Sequence, residues 1–170
     1  SVDDFLFRPG VLDALKLLND VGCKCVVLTS QNCVTLDLLT IEELDNIHDY
    51  MLEVVAAHQG LIEHVEVVYS KDDSDEQVAM KTAAKLEGLV NIKDKFNITK
   101  DDIVWHIGDS PAELLASREF SELYSIPSRT IQVRVKNYKK DIPSDYKADS
   151  LLDAAKKIHI SITMVHKGVV

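Results

Sequence analysis

Apolar residues near the start of the chain recur at helical spacing. Val11, Leu12, Ala14, Leu15, Leu17 and Leu18 form one stripe between Pro9 and Gly22, which predicts a helix over Arg8 to Gly22. The apolar, β-prone run from Cys23 to Leu28 follows and stops at the polar tip Thr29-Ser30-Gln31-Asn32, as a buried strand would. Thr40 with Glu43 three residues on is a capping box, and Ile41, Ile47, Met51, Leu52 and Val55 carry a second helix toward Gly60. His64 to Tyr69 reads as a strand, Ser70 to Glu76 as a polar loop and Gln77 to Leu86 as a helix, with an irregular or short helical stretch from Leu89 to Lys100. A third strand over Asp102 to Ile107 ends at Gly108-Asp109-Ser110, and Pro111 opens a helix reaching about Phe120. Thr130 to Val135 predicts a fourth strand, Ser150 to Ile158 a helix, and Ile160 to Val165 a fifth strand before a turn at His166-Lys167-Gly168.

Strands alternating with helices imply a three-layer α/β/α sandwich with a mainly parallel five-strand sheet, covered on both faces. A chain of 170 residues fits one domain spanning 1–170, and the inter-strand connections are too short to hold a separate cap domain. In such sheets ligands sit at the C-terminal ends of the strands. Thr29, Asp109 and Lys167 are therefore the tips to weigh.

Composition narrows the function classes. A net charge of −9 argues against nucleic acid as a main partner. Apolar runs fall short of the roughly 20 residues of a spanning helix, and the first residues carry neither a basic start nor an apolar stretch, so neither a membrane partner nor secretion is expected. Cys23 and Cys25 lie in an apparent buried strand and Cys33 stands apart, without a CxxC pair. They read as reduced core thiols of an intracellular, most simply cytoplasmic, protein rather than as a zinc site. The sequon Asn97-Ile98-Thr99 is most simply a chance match.

The candidate chemistry has plain structural readings beside it. Thr29 and Ser30 at a strand end could contact a phosphate, or Thr29 could cap locally. Asp109 and Glu113, four residues apart across a strand-to-helix turn, could hold a cation or cap the following helix and favour its dipole. His106 in an alternating strand reads as packed or hydrogen-bonded, and the acidic run Asp72 to Glu76 as a solvated loop.

Five segments, in order, resemble the haloacid dehalogenase superfamily, in the branch of histidinol-phosphate and heptose-bisphosphate phosphatases. They are Phe7 to Gly22, Val26 to Gln31, Leu39 to Met51, Ile107 to Glu113 and Ala148 to Leu151. The resemblance implies a Rossmann-like phosphatase domain with an Asp nucleophile on its first strand, a second Asp as acid or base, a neutralising Lys and Mg²⁺. No such Asp pair precedes residue 7. The segment Thr163 to Val170 aligns with that first strand, which suggests a circular permutation with Val165 and Lys167 at the two Asp positions. The neutralising Lys falls near Ser74 to Glu76, where acidic residues stand. The resemblance thus implies a catalytically degenerate phosphatase-like module, with no cofactor expected and a protein partner. The alternative is a Mg²⁺-dependent phosphatase of a small phosphorylated metabolite.

Overall fold

The structure, a computed structural model, describes residues 1–69, 77–134 and 142–166, with only the backbone of Gln77, Val165 and His166. After a short 3-10 turn at Val2–Asp4, the elements run α1 (Val11–Asp20), β1 (Val26–Ser30), α2 (Asn32–Thr35), α3 (Ile41–Ala57), β2 (His64–Val68), α4 (Gln77–Phe96), β3 (Val104–Gly108), α5 (Pro111–Tyr124), β4 (Ser128–Val133), β5 (Tyr146–Ala148) and α6 (Leu151–His166). The α/β sandwich expected from the alternation is present.

The sheet, however, is divided. β1 pairs in parallel with β2, and β3, β4 and β5 form a second parallel set in that order; no ladder joins β1 to β3. Side chains hold the two sets together from both faces. On one face, Ala14 and Leu18 of α1 and Ala154, Ala155 and Ile158 of α6 pack with Cys25, Trp105, Ile107 and Ile131, reaching both sets. α3 extends this layer, with Val55 against Cys25, Val27 and Val65. On the other face, Leu89 of α4 and Ala116 and Phe120 of α5 pack with Leu28 of β1 and Val104 of β3. Fully burying one such Leu, Ile or Phe contributes roughly 1.5–3 kcal/mol.

Three expectations are corrected. Ile160 to Val165 is not a strand but the last turns of α6. Ala154, Ala155, Ile158 and Ile162 recur at helical spacing and all face the first cluster, so packing overrides the β propensity of Ile160, Ile162 and Thr163. The hydroxyls of Ser161 and Thr163 donate to carbonyls one turn back, Lys157 O at 3.1 Å and His159 O at 2.8 Å. The permutation reading therefore has no strand to rest on, and Val165 lies on a helix rather than at a strand tip. Second, among the described residues the fifth strand is Tyr146–Ala148, and the five strands there make two sheets and not one. Third, α4 runs unbroken to Phe96, through most of the stretch from Leu89 to Lys100 expected to be irregular or only briefly helical, because Leu89 and Ile92 continue its buried stripe. Lys167, the turn at Gly168 and the acidic run Asp72 to Glu76 lie outside the described residues.

Gly88 sets the approach of α4 to the sheet. A Cβ there would lie 2.5 Å from Leu28 Cδ1 and 2.9 Å from Val68 Cγ1. Removing a helix-interior glycine normally gains up to about 1 kcal/mol, whereas overpacking costs about 1–3 kcal/mol. Gly88→Ala is expected to destabilise by about 1 kcal/mol, measured by denaturant unfolding; a stabilised variant would contradict this packing. His106, on β3, packs edge-on to Phe120 with its centroid 6.4 Å away, and its enclosed Nε2 has no partner. Burial lowers its pKa to about 4. The unfolded chain binds this proton near pH 6.5 and the folded chain only near pH 4, so stability should fall as pH drops through that window, by at most about 3 kcal/mol. His106→Gln should remove that slope in unfolding curves taken from pH 7 to 4. Parallel pH profiles for the two proteins would refute the assignment.

Candidate functional site

The C-terminal ends of β1 and β3 lie on either side of the division in the sheet. Thr29 and Ser30 end β1, and Gly108 with Asp109 ends β3. The side chains at these tips differ in their surroundings. Gln31 Nε2 donates to Thr29 Oγ1 at 3.0 Å, and Cys33 Sγ donates to Gln31 Oε1 at 3.2 Å, so Thr29 belongs to a local hydrogen-bonded loop. Ser30 Oγ is enclosed without a partner.

Across the division, Glu113 folds back over the β3–α5 turn. Its Oε2 accepts the backbone N–H of Asp109 at 3.1 Å and of Ser110 at 3.3 Å, completing a capping box at the start of α5. Gly108 makes room for this carboxylate, since a Cβ there would overlap it. An acidic group in the first turn also suits the positive end of the helix. Asp109 is exposed.

Lys85 joins the two sides. It rises from α4 almost fully buried, its Nζ donating to Leu28 O at 2.9 Å and lying 3.4 Å from Glu113 Oε1. One ammonium thus satisfies a carbonyl of β1 and neutralises the carboxylate at the end of β3. The sequence reading sought a neutralising lysine near Ser74 to Glu76 and missed this one. The signal was present: Lys85 occupies the buried stripe Thr82, Lys85, Leu89 and Ile92, where a lysine has no place without a partner.

The donors do not fit a magnesium ion. Mg²⁺ demands near-octahedral oxygen ligation through one or two carboxylates. Glu113 spends Oε2 on two amides and faces Lys85 with Oε1, which leaves the exposed Asp109. Among the described residues no three His, Cys, Asp or Glu side chains gather as a metal group. Cys23, Cys25 and Cys33 are free thiols; burial raises Cys23 and pushes Cys25 up to about 11, disfavouring the thiolate that would bind metal. Among the described residues no helix is long and apolar enough to cross a membrane.

No protein-family model matches the sequence, and no curated protein matches it. Among solved structures, the chain is similar to D,D-heptose 1,7-bisphosphate phosphatase from B. bronchiseptica complexed with magnesium and phosphate. That likeness has a TM-score of 0.75 and 19% identity, and covers 95% of this chain and 88% of the other. The D,D-heptose 1,7-bisphosphate phosphatase from Burkholderia thailandensis matches with a TM-score of 0.61 and 22% identity, over 92% of this chain and 88% of the other. Identities this low speak to architecture and not to chemistry. What the likenesses establish is the fold: this chain has an α/β fold similar to that of the D,D-heptose 1,7-bisphosphate phosphatases.

Proposed function

We propose that these residues form a phosphatase-fold module that engages another protein rather than hydrolysing phosphate esters. One observation carries the reading: the Lys85 ammonium sits between Leu28 O and the Glu113 carboxylate at the strand tips. Glu113 is thereby committed to holding the β3–α5 turn and the lysine, and is not free to ligate a cation. Thr29 and Ser30 could still contact an anion, and the unpartnered Ser30 Oγ favours this over a purely structural role. A reducing intracellular setting accords with the three free thiols.

A second reading is a Mg²⁺-dependent phosphomonoester hydrolase, favoured by the magnesium and phosphate of the structural neighbour from B. bronchiseptica. In that reading Asp109 is the residue on this chain that would reach the ion.

The two readings separate in a phosphate-release assay with aryl and sugar phosphates in millimolar Mg²⁺. Turnover no greater than that of a heat-inactivated control is expected. Turnover abolished by Asp109→Asn would establish the hydrolase instead. Lys85→Met and Glu113→Gln should act on stability. Glu113 is about a third exposed, so the coupling should be smaller than the roughly 3–5 kcal/mol of a fully buried pair, about 1–2 kcal/mol in a double-mutant cycle by denaturant unfolding. Zero coupling would remove the lysine's bridging role.

A further inference from the structure

Away from the strand tips, α5, β4 and the segment leading into β5 line an open cavity of about 160 Å³. That is close to the roughly 150 Å³ that admits a six-atom ring. Ser117 of α5 and Thr130 of β4, both buried, line it together with the exposed Arg118, Glu122 and Asp145. None of these residues takes part in the site at the strand tips.

The polar groups of the cavity fall into donors and acceptors. Ser117 Oγ is enclosed and has no hydrogen-bond partner among the described residues. A serine inside a helix often donates to the carbonyl one turn back, and this one does not. A buried hydroxyl left unpaired costs free energy, which a ligand accepting its hydrogen bond restores. Arg118 spends one N–H on Pro143 O at 3.1 Å, which leaves the rest of its guanidinium fork for an anion.

One turn further along α5 the lining changes character. Ser121 Oγ and Ser128 Oγ donate to Ile126 O at 2.8 and 3.4 Å, so their oxygens remain as acceptors. Asp145 is fixed in place by Thr130. Its Oδ2 accepts the Thr130 N–H at 2.7 Å and the Thr130 Oγ1 hydroxyl at 2.9 Å, and its own N–H donates to Thr130 Oγ1 at 3.0 Å. Arg118, Glu122 and Asp145 thus share one cavity, yet among the described residues they form no ion pair with one another.

This set of groups suits a ligand that carries both charges. A lone anion would meet two carboxylates, a lone cation would leave Arg118 unneutralised, and an uncharged polyol would desolvate all three charged groups without compensation. We propose that the cavity binds a small zwitterion of amino-acid size, its carboxylate on Arg118 and Ser117 Oγ and its ammonium on Asp145 and Glu122. The site is separate from the strand tips and does not depend on what they do.

An NMR titration of the isotope-labelled 170-residue chain with glycine, L-serine and β-alanine tests this. At least one of the three should bind with a Kd of about 1 mM or tighter, within reach of so small a ligand, and should shift the amides of α5 and β4 around Ser117 and Thr130. Acetate, methylamine and glycerol, which carry one charge or none, should bind at least about tenfold more weakly. Arg118→Gln and Glu122→Gln change exposed side chains and should keep the fold, while each weakens zwitterion binding at least about tenfold. Ser117→Ala should weaken binding and leave the unliganded protein as stable as before or more so in denaturant unfolding, because it deletes an unpaired hydroxyl. No binding by any of the three zwitterions, shifts centred elsewhere, or equal binding of acetate, methylamine or glycerol would overturn the proposal. So would undiminished zwitterion binding in the two charge variants, or a Ser117→Ala protein that loses stability and binds as before.

Discussion

Among the described residues, two half-sheets that share no backbone hydrogen bond are held as neighbours by side chains packed on their two faces. Everything else follows from that constraint. The α1 and α6 stripes must reach Cys25 on one side and Trp105 and Ile107 on the other, and the α4 and α5 stripes must reach Leu28 and Val104. Such packing is strong in aggregate but supplies no register of its own, whereas a ladder fixes register through every pair of residues. Lys85 adds the directional element, a bond to β1 and an ion pair to the start of α5.

That arrangement explains why the site is closed as it stands. A carboxylate beside a helix N-terminus could attract a cation from solution, but here the protein's own lysine meets it and the backbone amides complete its coordination. Buried ion pairs are poor evidence of net stability, since desolvation offsets much of the attraction. Their better-attested effect is to specify one arrangement, and this pair fixes how the end of β3 sits relative to β1.

Much of the fold was legible in the sequence. The stripes of α1 and α3, the capping box at Thr40 and Glu43, and the apolar runs of β1 to β4 each announce their element through local pattern. Ile160 to Val165 did not, because β-branched residues satisfy the strand pattern locally while Ile158 and Ile162 satisfy the helical one only together with Ala154 and Ala155. β5 is three residues long, too short for periodicity to register. The division of the sheet is invisible locally, since a strand reads the same whether one or both of its edges are paired. In the site, Asp109 and Glu113 were visible as a turn with capping potential. Lys85 was passed over because a lysine in a helix is ordinary until its stripe is seen to be buried.

The account stands on the absence of a ladder between β1 and β3. The most direct measurement is of scalar couplings across backbone hydrogen bonds in isotope-labelled protein, which identify each amide's acceptor. Val27 and Thr29 should couple to carbonyls of β2 and His106 to a carbonyl of β4, while no amide of β1 couples to a carbonyl of β3 and no amide of β3 to a carbonyl of β1. Couplings joining β1 directly to β3 would contradict the account.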